Sequence, residues 1–347
     1  MKAAVYEGDG VVTVRDLPLR PLERSQVRVK IESDTICGTD LRIAAGAKSK
    51  GVIPPVVLGH EVAGTVADVG GAVTTYRVGD RVGMSPELVC GHCYPCQRGV
   101  FNLCRNAHVL GHDLDGGLAE FLTVPAAAVT AGNLVVADPG VPFEQISLAE
   151  PLSCVLHAQR MLDIDPDDVV LVVGGGAIGL LHAQLAKVFG ARHVIVSEPV
   201  AFRRDLALRL GADRVVDPTD EDLLAVVGSA TGGVGADVTV VCIGVPALVD
   251  QALEATRPRG RVNLFAGFPT DSTAAIDPNR IHYGELTVTG SSNSTVEEYA
   301  AAIRLIEQGR VDVGSLITHR FPLDQISRAL EAATAPDAIK VAVLPHR

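Results

Sequence analysis

The sequence predicts an α/β fold: a doubly wound parallel sheet joined to a second, β-rich domain. Three observations carry this. Short alternating apolar runs, broken by Gly, Pro and Asp turns, fill residues 1 to about 150. Val169–Val173 is an unbroken Val and Leu run, the pattern of a strand buried on both faces. From that run onward, short apolar stretches alternate with segments of helical periodicity, as parallel strands joined by crossover helices do.

In chain order, Val11–Val14, Val27–Ile31, Val62–Val69 and Arg81–Met84 are the early strands. Their even spacing suggests a barrel or sandwich. After Val169–Val173 comes a helix over Ala177–Phe189. Further strands are expected at Val194–Val196, Arg214–Val216, Val238–Val241 and Arg261–Phe265, with helices at Ala201–Leu210, Glu221–Ala230 and Pro246–Ala255. A short run at Leu286–Thr289 precedes a helix over Val296–Gln308 and a mixed tail. The expected organisation is a first domain over 1–152, a sheet domain over 153–291, and a return to the first domain over 292–347.

At 347 residues, with 47% of them hydrophobic, the chain can bury two ordinary cores. No apolar run reaches the roughly 20 residues of a membrane span. A net charge of −11 disfavours nucleic-acid and anionic-lipid surfaces and suits small-molecule ligands. The absence of Trp leaves no evident platform of stacked rings for carbohydrate. No leader with basic and apolar regions is present, so a cytoplasmic location with reduced thiols is expected.

Four of the seven cysteines, Cys90, Cys93, Cys96 and Cys104, fall within fifteen residues as C-x2-C-x2-C-x7-C. Such spacing can wrap four thiolates around one tetrahedral ion, and Zn²⁺ suits a closed thiolate shell with no position open for chemistry. Disulfides and an iron–sulfur cluster are the rival readings. Gly174, Gly176 and Gly179 form G-x-G-x-x-G between the first buried strand and the helix that opens with Ala177 and Ile178. The first glycine permits a tight turn, the second lets backbone approach a pyrophosphate, and the third lets helix and strand pack. The phosphate charge then meets free N–H groups at the helix start. Glu198 follows at the end of the second strand, where an acidic side chain accepts the ribose hydroxyls and repels a 2′-phosphate. NAD is thus favoured over NADP, with Arg203 as the residue that could accommodate the extra phosphate. Gly244 and Gly267 follow the fourth and fifth strands, at the edge that faces the ligand crevice in such sheets.

Cys37, in Cys37-Gly-Thr-Asp40, and His60-Glu61, in Gly59-His-Glu-Val, offer a second set of metal-ligand types. Spacing alone leaves them open, since a lone buried Cys is as readily a small core residue and a lone His a satisfied one. Here the chain resembles the zinc-dependent medium-chain dehydrogenase/reductase superfamily almost end to end. Cys37-Gly-Thr-Asp40, Gly59-His-Glu61, Gly79-Asp-Arg-Val82, the cysteine lobe, Glu150-Pro-Leu152, the glycine loop and Thr318-His-Arg-Phe-Pro-Leu323 occur in the family's order. Glu150-Pro-Leu152 resembles the sorbitol (polyol)/threonine dehydrogenase branch.

This resemblance implies a Rossmann domain and a GroES-like catalytic domain with two zinc ions per chain. One is structural, in the lobe at about 88–106. The other is catalytic, on Cys37, His60 and Glu61, with Glu150 a direct ligand or a neighbour through water. Thr39 matches the hydroxyl that bonds the substrate oxygen and relays its proton. Arg42 stands where the family often has a proton-passing His. Arg does not titrate at neutral pH, so the relay ends differently, and Arg42 is free for a cofactor phosphate or polar substrate. The implied reaction is hydride transfer between a secondary alcohol (polyol, sugar, cyclitol or aminocyclitol) and NAD, in a homodimer or homotetramer. An NAD-dependent epimerase and a non-catalytic nucleotide-binding protein are the alternatives. His112, Asp113 and Asp115 could bind a hydroxyl-rich ligand, or simply belong to a solvated loop.

Overall fold

The computed structural model describes all residues, Met1–Arg347. The chain forms two compact units: Met1–Ser153 with Ser294–Arg347, and Cys154–Asn293.

In the first unit, strands Leu134–Val136, Arg81–Met84, Val62–Val69, Val27–Thr35, Lys340–Leu344 and Ile317–Pro322 lie side by side in one sheet. Strand Val27–Thr35 is its hub. Along one edge it pairs with Val62–Val69, bringing Asp34 opposite Val62. Along the other, its first half pairs with Phe121–Val124 and its end with Lys340–Leu344, Thr35 lying opposite Ala342. Val27, Val29, Ile31, Val62, Val66, Val82 and Met84 alternate onto one face and form its core. A smaller sheet of Val11–Asp16, Lys2–Gly8 and Val56–Val57 packs a second cluster that includes Ile43, Leu58 and Val343. One end of the hub sheet therefore gathers three chain segments: the exit of Val27–Thr35, the entry of Val62–Val69 and the entry of Lys340–Leu344.

The second unit is a six-stranded, all-parallel sheet. In order of appearance its strands lie third, second, first, fourth, fifth, sixth, the doubly wound arrangement. Val169–Val173, the first, is central, and all five residues are buried. Helices Ala177–Val188, Ala201–Arg209, Leu223–Thr231 and Ala247–Ala255 make the crossovers. Several boundaries shift by one to five residues, and two of the shifts have a clear local cause. The helix expected from Glu221 begins at Leu223, because Asp222 caps it by accepting from the Leu224 and Ala225 amides. The strand expected at Arg261–Phe265 spans Thr256–Leu264, its early part hidden from a pattern search by Pro258 and Gly260. Its register shifts there, and Arg259 takes a left-handed φ of 59°. A helix over Pro278–Gly284, capped by Asp277, was not expected.

Candidate functional site

The site grows from the sheet end described above. Strand Val27–Thr35 runs into Cys37, which N-caps helix Gly38–Ala44, and the Cys37 amide donates to Asp40 Oδ2 at 2.9 Å. Just before Val62–Val69, His60 and Glu61 are buried. The ligand atoms of Cys37, His60 and Glu61 lie within 4.8 Å of one another, so one ion could meet all three. His60 Nδ1 lies 3.3 Å from Asp40 Oδ1, leaving Nε2 for a metal. Asp40 thus positions two candidate ligands at once.

Glu61 is fully buried, and both its oxygens meet the Lys340 ammonium. It also accepts from the Thr35 hydroxyl. Sequence reasoning missed Lys340, because only the pairing of the C-terminal strand beside Thr35 brings it here, 279 residues from Glu61. Glu150, in the first turn of helix Ala149–Leu162, is outside the 4.8 Å ligand set. Its charge is nonetheless felt at Glu87, Tyr299 and Lys340. Burial, then Glu150, pushes the Glu87 carboxyl up to about 8. Glu87 was also missed, because it opens the two-residue strand Glu87–Leu88 with no motif around it.

Thr39 Oγ1 accepts from Arg42 Nη2 at 3.2 Å, across one turn of the helix. His112 lies beside His60, their ring centroids 6.1 Å apart. Burial, then Lys48 and His60, push the His112 imidazole down to about 4, so it is neutral at pH 7. Asp113 and Asp115 are committed to the loop: Asp113 holds His108 at 2.5 Å and the Val109 amide at 2.7 Å, and Asp115 accepts from the Val57 amide at 3.1 Å.

The Cys90, Cys93, Cys96 and Cys104 sulfurs also lie within 4.8 Å of one another. All four are free thiols. Cys93 Sγ is 3.4 Å from Cys96 Sγ and 3.8 Å from Cys104 Sγ. A tetrahedron built on Zn–S bonds of about 2.3 Å has edges of about 3.8 Å. Amides of Cys90 and Cys93 donate to sulfurs of Cys104 and Cys90, as thiolates require. The donor set therefore fits a closed four-thiolate metal site.

In the second unit, Gly174 has φ of 102°, and a Cβ on Gly179 would lie 1.8 Å from the Gly174 carbonyl oxygen. A Cβ on Gly176 would meet nothing within 4 Å, the open approach a pyrophosphate needs. The first intrahelical bond beyond the loop is Leu180 N to Gly176 O, so the amides of Ala177, Ile178 and Gly179 remain available to a phosphate. Glu198 is buried, with Oε2 accepting from the Gly175 amide at 2.7 Å and Oε1 from Val200 at 2.9 Å. Arg204 braces this corner by donating to the carbonyls of Glu198 and Pro199 and pairing with Asp217. A Cβ on Gly244 would lie 2.3 Å from the Gly267 carbonyl, so these glycines let the loops after the fourth and fifth strands touch.

Comparison with known proteins is consistent with this geometry. Residues 23–133 match the alcohol dehydrogenase GroES-like domain, and residues 177–308 match the zinc-binding dehydrogenase family. L-threonine 3-dehydrogenase of Pyrococcus horikoshii is 37% identical over 91% of this chain and 90% of its own. Sorbitol dehydrogenase of Bacillus subtilis is 29% identical over 100% of this chain and 98% of its own. Among solved structures, a Sinorhizobium meliloti 1021 protein described as a zinc-binding dehydrogenase, bound to NADP, superposes with a TM-score of 0.93 at 33% identity, covering 99% of both chains.

Proposed function

The chain belongs to the zinc-binding alcohol dehydrogenase family, and from that premise we propose that it oxidises a secondary alcohol of a hydroxylated substrate, or reduces the corresponding carbonyl, with a nicotinamide coenzyme. The observation that carries this reading is the convergence of Cys37, His60 and Glu61 within 4.8 Å, in a chain that also holds a phosphate-binding glycine loop. A zinc ion on Cys37, His60 and Glu61, with Glu150 alongside, supplies Lewis acidity toward the substrate oxygen. A nicotinamide coenzyme on the Gly174–Gly179 loop supplies or accepts the hydride.

The chain's own residues do the rest. Asp40 holds His60 in the orientation and tautomer that leave Nε2 for the metal. Thr39 exchanges a proton with the substrate oxygen. Because Arg42 donates to Thr39 Oγ1, the Thr39 hydroxyl hydrogen stays free to point at the substrate. Arg42 does not titrate at neutral pH, so the proton leaves Thr39 by solvent or by another group. Glu61 is held by Lys340, and its carboxylate would also be a ligand of the metal. The four-cysteine lobe holds a second zinc that is structural only, giving two ions per chain. Glu198, fixed by two backbone amides, keeps lone pairs for the ribose hydroxyls and disfavours a 2′-phosphate. The edge strand Thr287–Gly290, with Tyr283 80% exposed nearby, supports assembly as a homo-oligomer.

The test is reduction of NAD⁺ measured over polyols, cyclitols, aminocyclitols, sugars and β-hydroxy amino acids, with NADP⁺ in parallel. The reading expects turnover of at least one class and two zinc ions per chain. Cys37→Ser should remove one of those ions and the activity together. One ion per chain, with Cys37→Ser fully active, would falsify the catalytic-metal assignment. A clear preference for NADP⁺ would remove the role given to Glu198.

A further inference from the structure

Two cations beside the candidate metal ligands have no counter-ion. Arg42 lies in the last turn of helix Gly38–Ala44, and its carbonyl accepts from the amides of Ala47 at 2.8 Å and Lys48 at 3.1 Å. That bond pattern fixes Lys48 next to Arg42. The Arg42 guanidinium makes one side-chain hydrogen bond, to Thr39 Oγ1, and the half-buried Lys48 ammonium makes none. Neither forms an ion pair, although the chain carries 41 acidic residues and a net charge of −11. Four other partly buried cations are matched by carboxylates: Lys340 with Glu61, Lys187 with Asp213, Arg204 with Asp217, Arg261 with Asp168.

Burial, then the Arg42 charge, destabilises the charged form of Lys48. The nearby negative groups are already engaged. Asp40 serves His60 and the Cys37 amide, and Cys37 is a candidate metal ligand. A bound dication would add to the local positive charge. His112 completes the arrangement. Its ring stands edge-on to that of His60, with centroids 6.1 Å apart, and its Nε2 is buried with no partner. The Ile53 amide donates to the His112 carbonyl at 2.9 Å, tying the loop that follows Lys48 to the His112 loop. A half-buried ammonium with no counter-ion, beside an exposed guanidinium and an unpartnered imidazole, is costly in the protein alone. It is stabilised by a ligand that brings the negative charge.

We infer that the substrate carries an oxyanion, a phosphate or a carboxylate, held by Lys48 and Arg42 with His112, next to the hydroxyl that reacts at Cys37, His60 and Glu61. This deepens the dehydrogenase reading and rests on it for the reaction, but the oxyanion site stands on its own residues.

The test uses the zinc-loaded full-length protein. Calorimetry with inorganic phosphate is expected to show binding that weakens by about tenfold or more in Lys48→Met and is retained in Lys48→Arg. In kinetics, sorbitol is compared with sorbitol 6-phosphate and with gluconate. One charged compound should be favoured over sorbitol, and Lys48→Met should lower that preference by about tenfold. The two charged arms separate phosphate from carboxylate. Unaltered phosphate binding in Lys48→Met overturns the inference, and so does a preference for neutral or cationic substrates. A tenfold loss of NADH affinity in Lys48→Met, with the charged-to-neutral ratio unchanged, also overturns it, because the pair would then serve a coenzyme phosphate. Turnover of neutral alcohols without these effects removes the oxyanion site and leaves the dehydrogenase intact. Lys48-dependent phosphate binding without turnover of any alcohol does the reverse.

Discussion

At the scale of single residues, the two most informative groups are a buried charge with a partner and a buried imidazole without its second one. Lys340 and Glu61 are both sequestered from water, so removing one leaves the other uncompensated. Lys340→Met should destabilise the metal-free first unit by about 3–5 kcal/mol. With zinc bound, Glu61 has a second positive partner, and the loss should shrink markedly. Thermal melts of wild type and Lys340→Met, each with and without zinc, test this, and equal losses in both states would remove Glu61 from the metal. His182 is a different case. It is fully buried, Gln159 donates to its Nδ1 at 3.0 Å, and its Nε2 has no partner. Burial pushes its imidazole down to about 3. The unfolded chain therefore binds a proton near pH 6.5 that the folded chain refuses. Stability is complete above that value, falls as the pH drops through it, and stops falling near the folded pKa. At about pH 5.5 the cost is roughly 1.4 kcal/mol. Hydrogen exchange in helix Ala177–Val188 should show this loss in wild type and a flatter pH dependence in His182→Asn. An identical slope in the two proteins would contradict it.

At the scale of elements, the cysteine lobe shows what spacing can and cannot convey. Four thiols in fifteen residues were legible as a candidate metal shell because all of them come from one short segment. The segment has little regular structure to hold it otherwise, just helix Tyr94–Gln97 and a 3-10 turn at Phe101–Leu103. Its order is therefore expected to depend on the ion. Cys96→Ser should remove one zinc per chain and make the segment around 90–104 protease-sensitive, while coenzyme binding to the second unit persists. Limited proteolysis with mass spectrometry checks this; a lobe that stays protected in the variant would mean that packing alone orders it. The central strand Val169–Val173 and the glycine turn were legible for the same reason, being local patterns. The Thr256–Leu264 strand was half hidden, because its bulge uses residues that read as a turn.

At the scale of the whole molecule, the residues that remained invisible are those that strand pairing brings together. Cys37, His60 and Glu61 could be suspected from residue type, but Lys340 becomes their neighbour through the register of the last strand on Thr35, and Lys48 through the turn that follows Arg42. Glu87 arrives on the strand Glu87–Leu88, paired with His108–Val109. Long-range pairing has no local signature, so a sequence shows such groups only once the sheet is known. The same assembly separates the two candidate metal sites chemically. One offers four cysteine sulfurs. The other has three ligands of mixed type, one of them held by Lys340. The mixed site should therefore release its ion first. Dialysis against a mild chelator is expected to take one zinc per chain and all activity, with little change in melting temperature. Re-addition of zinc should then restore turnover. A stronger chelator under partly denaturing conditions should take the second ion and lower the melting temperature steeply. If the first ion lost were the one that lowered the melting temperature, the roles given to the two sites would have to be exchanged.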